Sequence, residues 1–259
     1  MEQDYLKHPV FGQLTKYATF YENLASTVLS FATMGVQSFF DIDAYVYTSI
    51  QGTLDSIKEI LLRGRINDGY TLLRKYYDVT IINLYTNLYL NQQFTDKTYV
   101  VEKIDNWVKH KERLPDFAKM AEFIENSEKT VKIAKLLHTD NRYRELRRRC
   151  DDHTHYNQYY YVLVNDNQVF LQNRVAMLNQ FSTDLENIFV LHLAYLFTIK
   201  ENYMMASDYI DCLDCEISPE QDSQCLVAPF IQEVFDDVIK KSRMDLAIEI
   251  KENTAMMLA

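Results

Sequence analysis

The stretch Ala44–Leu62, AYVYTSIQGTLDSIKEILL, decides the fold class of this chain. Its apolar residues recur at three- and four-residue steps, which is the spacing of one face of an α-helix. They are Val46, Ile50, Leu54, Ile57 and Leu61. Gly64 stands two residues past the end, where a glycine can terminate a helix in the left-handed conformation. The pattern predicts an amphipathic helix over 44–62.

A second periodic stretch over 67–91 follows after a short link, Gly64-Arg65-Ile66-Asn67. A link this short joins helices that fold back on each other, so the two stretches predict a long antiparallel helical hairpin. The stripe of the second helix consists of Tyr70, Leu73, Tyr77, Ile81, Leu84 and Leu88. Arg74 borders that stripe, and Asp78 lies one turn further on, where the two side chains can pair.

Helical periodicity dominates the rest of the chain as well. Further periodic stretches cover 12–33, about 168–199, and 222–257, and only 5 Gly and 4 Pro interrupt the 259 residues. An all-β sandwich needs many more turn-forming residues. We therefore predict an all-α fold, a helical bundle in a single domain over 1–259.

Four segments carry more specific expectations. Residues 1–11 are expected to form a loosely held lead-in, because Pro9 blocks an early helix. Residues 95–138 are more polar, with shorter helical pieces, and are expected to form a helical insertion. Residues 219–259 are expected to form a C-terminal helical extension. Tyr159–Val164 has the aromatic and β-branched composition of a strand and is the expected place for extended structure.

The composition restricts the partners. The net charge is −10, so any contact with a nucleic-acid backbone must be local. The acidic balance also disfavours an anionic membrane surface, and no apolar run reaches the roughly 20 residues of a membrane span. The N-terminus lacks an apolar signal segment, and four cysteines without such a signal predict reduced thiols in a cytoplasm.

Acid/base chemistry is concentrated in Arg147–Asn157, RRRCDDHTHYN. If this segment is helical, Arg148 and His155 fall on one face, with Asp152 a turn from each. Arg149 and His155 can still converge if a helix begins between them. An arginine can hold a phosphate through two donors, and an imidazole can move a proton near neutral pH. RNA cleavage needs no metal for this chemistry, because the 2′-hydroxyl is an internal nucleophile.

The same segment resembles the signature of the HEPN superfamily (higher eukaryotes and prokaryotes nucleotide-binding), an arginine followed by four to six residues and a histidine. Arg149 and His155 have five residues between them, Arg148 and His153 have four, and Arg148 and His155 have six. The hairpin segment Ser49–Asp78 is similar to the paired helices of abortive-infection HEPN-like proteins and their uncharacterised bacterial relatives.

The segment Asp151–Asn157 is similar to the Asn-Asp-x-x-His-x-Asn element of those relatives. The resemblance implies that His155 is the motif histidine and Asp152 its acidic partner, with either Arg148 or Arg149 as the arginine. The Asn that often follows the arginine is absent, and Cys150 stands there. Asn157 is a candidate binding residue by the same comparison, and Arg74 is a second candidate, because Arg74 and Asp78 could line the same cleft as His155 as an alternative to a structural pair.

Two classes of function remain open at this point. The resemblance implies a helical RNase of a defence or toxin type that needs no metal or other cofactor, with RNA as a possible substrate and two motifs facing each other in a homodimer. The alternative is a non-catalytic helical scaffold that binds a protein partner, or a protein that binds nucleotide or RNA without cleaving it. In those cases the cluster is a capped helix end with surface ion pairs.

The cysteines and His192 are best interpreted as structural residues. Cys212 and Cys215 stand three apart, with Cys225 further on, but the fourth ligand of a closed zinc site is missing nearby. Ordinary, partly buried cysteines are therefore the expectation. His192 interrupts an apolar stripe and is expected to be a hydrogen-bonded core histidine, with a site residue as the alternative.

Overall fold

The computed structural model describes residues 3–32, 40–94, 100–165, 173–204, 215–217, 227–254, 256 and 258–259. All regular elements within these ranges are helical, which confirms the predicted all-α fold. The first seven helices are α1 (Gln3–Leu6), α2 (Val10–Ala32), α3 (Phe40–Leu62), α4 (Ile66–Gln93), α5 (Glu102–Val108), α6 (Phe117–Asn126) and α7 (Val131–Leu137).

The helices that follow complete the described part of the chain. They are α8 (Arg142–Thr154), α9 (Tyr159–Val164) and α10 (Arg174–Ile199), a 3₁₀ turn (Glu201–Met204), α11 (Pro229–Val234) and α12 (Met244–Asn253). A π-helical turn (Phe235–Ile239) and a last α-helical turn (Lys240–Ser242) continue α11. The predicted starts of the long helices differ from these bounds by a few residues, and residues 166–172 lie outside the described ranges.

The chain divides into two compact units, which are considered separately. Unit 1 comprises the described residues of Met1–Thr80 and Asp140–Phe189. Unit 2 comprises those of Ile81–Thr139 and Val190–Ala259. Unit 2 therefore contains both the region expected as an insertion, 95–138, and the region expected as an extension, 219–259. The single domain over 1–259 stays a prediction.

Aromatic side chains fill the core of unit 1. The Tyr17 ring in α2 stacks on Phe189 in α10 with a centroid distance of 3.8 Å. Tyr21, also in α2, contacts the Tyr47 ring in α3 at 6.2 Å, and its hydroxyl lies 2.9 Å from that of Tyr76 in α4. Since α2 touches both arms of the predicted hairpin, burial of these rings holds α2, α3 and the first part of α4 together.

The hairpin turn follows the prediction. Gly64 has a φ of 78°, a left-handed conformation that glycine adopts without a steric cost. Its amide donates to the Leu61 carbonyl at 2.8 Å, and the Arg65 amide donates to the Ile60 carbonyl at 3.2 Å. These two bonds form a Schellman motif, which satisfies carbonyls that the end of α3 would otherwise leave unpaired.

The expectation of a loosely held lead-in is wrong. Residues Gln3–Leu6 form the short helix α1, and the Tyr5 side chain is buried. The Tyr5 hydroxyl donates to the Leu61 carbonyl at 2.8 Å. Pro9 does end the first helical segment, but the tyrosine before it packs into the core because burying a ring of this size is favourable.

The strand expected at Tyr159–Val164 is also wrong, because these residues form α9. A strand requires a neighbouring strand for its amide and carbonyl groups, and the described part of the chain offers none. A helical turn satisfies those groups internally. Val164 is fully buried, and the Tyr161 ring packs 4.3 Å from the His153 ring. Packing has therefore overridden β-propensity.

Unit 2 has its own core and helix ends. The His192 Nε2 atom in α10 lies 2.9 Å from the Asn83 Oδ1 atom in α4, so the prediction of a hydrogen-bonded core histidine is confirmed. Helix α6 begins where Asp116 accepts a hydrogen bond from the Lys119 amide at 3.0 Å. Arg243 joins α12 to α7 by donating to the Leu136 carbonyl at 2.7 Å.

None of the helices in the described ranges combines the length and the apolar character that crossing a membrane requires.

Candidate functional site

Helix α8 carries the Arg- and His-rich segment and is held in unit 1 by one buried face. Tyr143, Leu146, Cys150 and His153 form this face at helical spacing. The remaining residues of the segment, including the three arginines, therefore lie on the sides and the outer surface of the helix. Burial raises the pKa of the Cys150 thiol to about 12, so this cysteine remains a thiol at neutral pH.

Arg149 lies at the side of α8 and pairs with Asp184 of α10. Its Nε and Nη2 atoms lie 2.9 Å and 2.5 Å from the two oxygens of that carboxylate. Asp184 is fully buried and also accepts hydrogen bonds from the Tyr70 hydroxyl at 3.2 Å and from Gln180 at 3.2 Å. This geometry makes Arg149 a structural partner of a buried charge, with its donors directed at Asp184.

Arg74 and Arg147 form a second group of ion pairs at the edge of α8. Arg147 lies 2.7 Å from Asp78 of α4, and Arg74 lies 3.7 Å from the same carboxylate. Arg74 also contacts Asp151 of α8. The predicted pairing of Arg74 with Asp78 within α4 is therefore confirmed, and the contacts of this pair with Arg147 and Asp151 connect α4 to α8.

Arg148 lies on the outer surface of α8. It is the most exposed of the three arginines, with 62% of its side chain accessible. Its Nη2 atom donates to Glu145 at 2.7 Å, and its Nη1 atom donates to Asp152 at 3.4 Å. Asp152 also accepts a hydrogen bond from Asn157 at 2.8 Å. Solvent screens these surface pairs, so another anion can compete for Arg148.

His153 is a buried histidine of the core. Its Nδ1 atom lies 2.9 Å from Asn67 Oδ1, and its ring stacks on Tyr70 at a centroid distance of 4.1 Å. Burial lowers the pKa of the His153 imidazole to about 4, and the nearby Arg149 cation acts in the same direction. At neutral pH this ring is uncharged and inaccessible, so His153 is unsuited to proton transfer with a bound substrate.

His155 ends α8 and is exposed to solvent. Its amide donates to the Asp151 carbonyl at 3.0 Å, so the last helical turn still includes this amide. The spacing of seven residues therefore keeps the His155 side chain on the face that carries Arg148. Among the described residues, none forms a hydrogen bond or an ion pair with the His155 ring, and Asp152 pairs with Arg148 and Asn157 instead.

The chain leaves α8 through a strained turn. Tyr156 has a φ of 49°, in the left-handed region that side chains other than glycine rarely adopt. Its amide donates to the His153 carbonyl at 3.4 Å, and the Asn157 amide donates to the Asp152 carbonyl at 3.1 Å. This is the same Schellman motif that Gly64 forms after α3, with a tyrosine in place of the glycine.

Large exposed side chains follow His155 in the sequence. Tyr156, Tyr159 and Val162 are large residues with accessible side chains, and Tyr159 is 74% exposed. Aromatic rings on a surface can stack on unpaired bases, and they can equally form the core of a protein interface. The end of α8 and the residues that follow it thus carry an exposed arginine, an exposed histidine and exposed aromatic rings.

The structure separates the predicted site residues into three groups. Arg148, Asp152 and Asn157 form one hydrogen-bonded chain on the surface at the end of α8, and His155 shares that face. Arg149 belongs to the buried network with Asp184, and Arg74 belongs to the pairs with Asp78 and Asp151. Sequence analysis did not identify Asp184, because its partner Arg149 is 35 residues away and no short motif contains both.

The electrostatic balance of this region is close to neutral. The four guanidinium groups of Arg74, Arg147, Arg148 and Arg149 face the carboxylates of Asp78, Glu145, Asp151, Asp152 and Asp184. The region therefore lacks the strong positive field of a typical nucleic-acid surface. An anionic ligand at this position must displace carboxylates from Arg148.

The cysteine prediction falls mostly outside the described residues. Cys212 and Cys225 lie there, and Cys215 is exposed. Within the described ranges, His, Cys, Asp and Glu side chains form no group of three or more with the geometry of a metal site.

No protein-family model matches the chain, and no curated protein or solved structure is significantly similar to it.

Proposed function

We propose that this protein is a HEPN-like endoribonuclease that acts on single-stranded RNA in the cytoplasm, of the defence or toxin type, without a catalytic metal. One observation carries the proposal. His155 is an exposed imidazole with no side-chain partner among the described residues, and it lies on the same face of α8 as Arg148, the exposed arginine. The other histidine of the motif, His153, is buried.

The proposed roles follow from the chemistry of each group. Arg148 holds the phosphate that is to be cleaved, since its planar fork of donors matches two phosphate oxygens. The His155 imidazole accepts the proton of the 2′-hydroxyl, and that oxygen attacks the adjacent phosphorus. The bond from phosphorus to the 5′-oxygen breaks, which leaves a 2′,3′-cyclic phosphate on one product.

The departing 5′-oxygen needs a proton from an acid. A second copy of the chain can supply it through its own His155, so the proposal includes a homodimer in which two α8 ends face one RNA. The exposed rings of Tyr156 and Tyr159 support this arrangement, because they can stack on bases or contact the second copy. Asp152 has an indirect role, since it orients Arg148 and Asn157.

A second candidate function rests on a different observation. Each arginine of α8 from 147 to 149 is paired with a carboxylate, as expected for a structural helix in a non-catalytic scaffold. In that case the exposed surface of Tyr156, Tyr159 and Val162 binds a protein partner. The two candidates differ in one respect, which is whether Arg148 exchanges its carboxylate partners for a phosphate.

RNA cleavage by purified protein tests the first candidate directly. The assay contains a labelled single-stranded RNA and EDTA, and it compares the wild type with His155→Ala and Arg148→Ala. His138→Ala is the matched control, because His138 is also a surface histidine and its partner is Glu125. We expect cleavage by the wild type and by the control, with losses of at least about a hundredfold in His155→Ala.

The end group of the product supplies a second criterion. A 2′,3′-cyclic phosphate is expected if the 2′-hydroxyl is the nucleophile. Equal cleavage by the wild type and by His155→Ala would remove the proposal, because a contaminating nuclease would then explain the activity. Absence of cleavage in all four proteins would favour the scaffold.

A further inference from the structure

A cavity of about 580 Å³, open to solvent, lies within unit 2 and is lined by the end of α5, the segment after it, Ile82 of α4 and Met120 of α6. Its size falls in the range of small-molecule sites, and all of its lining residues belong to this unit. The cavity is independent of α8, so a ligand there does not depend on the proposed RNase activity.

The lining combines an apolar floor with an aromatic wall. Ile82 of α4 and Met120 of α6 form part of the floor, and Met120 is buried. Trp107, the one tryptophan of the chain, contributes its indole ring near the end of α5. A half-buried indole beside an apolar floor is suited to a planar ring, which can stack on it.

The rim of the cavity carries two cationic side chains. The Lys111 and Arg113 side chains line it and are exposed, and neither side chain forms a hydrogen bond or an ion pair with any residue in the described ranges. Glu112 is the one carboxylate in the lining, so the cations exceed it in charge. Unlike Arg148, these two cations need not be released from a carboxylate before an anion binds.

His110 shows that this rim is held in a strained conformation. It has a φ of 58°, and it occupies the position after α5 that glycine usually takes in a Schellman motif. The His110 amide donates to the Trp107 carbonyl at 3.0 Å, and the Lys111 amide donates to the Asn106 carbonyl at 2.8 Å. These bonds fix the backbone that presents the indole and the lysine to the same cavity.

The geometry points to a binding site for a small anion that carries a planar ring, with the ring against Trp107 and the anionic group at Lys111 and Arg113. Two sources fit this chemistry, an aromatic phosphate such as a nucleoside monophosphate and an aromatic carboxylate. Either ligand can pair its anionic group with the two cations and pack its ring on the apolar floor. A ring without a charge and an ion without a ring each satisfy only half of the site.

Fluorescence of the single tryptophan tests the site in the full-length protein. AMP and phenylacetate represent the two sources. Adenosine tests the ring alone, and inorganic phosphate and acetate test the anion alone. We expect saturable quenching of Trp107 fluorescence by AMP or by phenylacetate, at concentrations where the three partial ligands have no effect. The ligand that binds more tightly identifies the source.

Two variants separate the site from non-specific attraction of anions. Lys111→Ala combined with Arg113→Ala is expected to weaken binding about tenfold or more, because charge-assisted hydrogen bonds are lost. Arg144→Ala combined with Lys251→Ala removes the same charge from exposed positions outside the lining, and it should bind like the wild type. Circular dichroism confirms that both remain folded.

Three results would overturn the inference. They are the absence of saturable quenching with every ligand, equal binding of adenosine and AMP in a protein that does not bind phenylacetate, and unchanged binding in the Lys111 and Arg113 double variant. These measurements do not involve RNA cleavage, so they test the binding site independently of the proposed function.

Discussion

The guanidinium of Arg149 meets the buried carboxylate of Asp184 at two points, with distances of 2.9 Å and 2.5 Å, and so joins α8 to α10. Arg148, the next residue along the chain, lies on the outer surface and pairs with Glu145 and Asp152. Two consecutive arginines therefore have different physical roles, which single substitutions can separate.

We expect Arg149→Ala to destabilise the protein strongly. Asp184 would remain buried without a counter-charge, and breaking a buried pair in this way costs about 3–5 kcal/mol. Arg148→Ala is the matched control and should leave the urea midpoint almost unchanged. Similar midpoints for the two variants would contradict the assignment of Arg149 to the core. Arg149→Lys should recover only part of the loss, since a lysine cannot reproduce the two-point contact.

Two buried histidines predict a loss of stability in mild acid. Burial lowers the pKa of His153 to about 4 and that of His192 to about 3. A histidine of the unfolded chain titrates near about 6.5. As the pH falls below that value, the two imidazoles bind protons in the unfolded state but not in the folded state. The free energy of unfolding must therefore fall between pH 6.5 and 4.

Urea unfolding at several pH values measures this effect. His153→Gln removes one of the two groups and should reduce the slope of unfolding free energy against pH by up to about 1.4 kcal/mol per pH unit. Gln158→Ala, an exposed and non-ionising change, should preserve the wild-type slope. An identical slope in His153→Gln would show that His153 does not resist protonation in the folded protein.

Tyr156→Gly should stabilise the protein. Glycine removes the steric cost of the left-handed backbone but loses more entropy on folding, and the net gain is up to about 1 kcal/mol. Gly64→Ala is the reciprocal change at the end of α3 and should destabilise by about 1 kcal/mol or more. Thermal unfolding of both variants checks the pair. A lower melting temperature for Tyr156→Gly would show that the tyrosine ring contributes more than the strain costs.

The carboxylates around Arg148 should weaken RNA binding. Glu145→Gln removes the charge that accepts two donors of Arg148, at 2.7 Å and 3.1 Å. If Arg148 binds a phosphate, this variant should bind single-stranded RNA several-fold more tightly at low salt, because phosphate then competes with a neutral amide. Fluorescence anisotropy of a labelled RNA provides the measurement.

Glu59→Gln is the control for that experiment, since it removes one exposed negative charge from α3. It should change the affinity far less than Glu145→Gln. Equal effects of the two variants would mean that only the net charge matters. In that case Arg148 would not be a specific phosphate contact.

The helices were predictable because their signals are local. Within the predicted stripe of α3, Ile50, Leu54 and Leu61 are fully buried and Val46 is half-buried, and Gly64 ends α3 as its position indicates. Such patterns repeat every few residues and require no knowledge of distant partners. The strand prediction for Tyr159–Val164 was wrong because β-propensity reflects packing partners, and the partner of Tyr161 is the His153 ring.

The site was only partly predictable for a similar reason. The spacing of Arg148, Asp152 and His155 places them on one face, as local helical geometry requires. The spacing cannot distinguish His153 from His155, or Arg148 from Arg149. Burial makes that distinction, through contacts with Asn67, Tyr70 and Asp184, which lie far away in the sequence.

Tyr156 and His110 have a left-handed backbone conformation at the two places where ligands are proposed to bind. Glycine at either position would relieve that strain and raise the melting temperature. A laboratory selection for thermal stability alone would favour glycine at both positions. The selected variants would unfold at a higher temperature, but they would lack the Tyr156 ring at one proposed site and the His110 imidazole at the other.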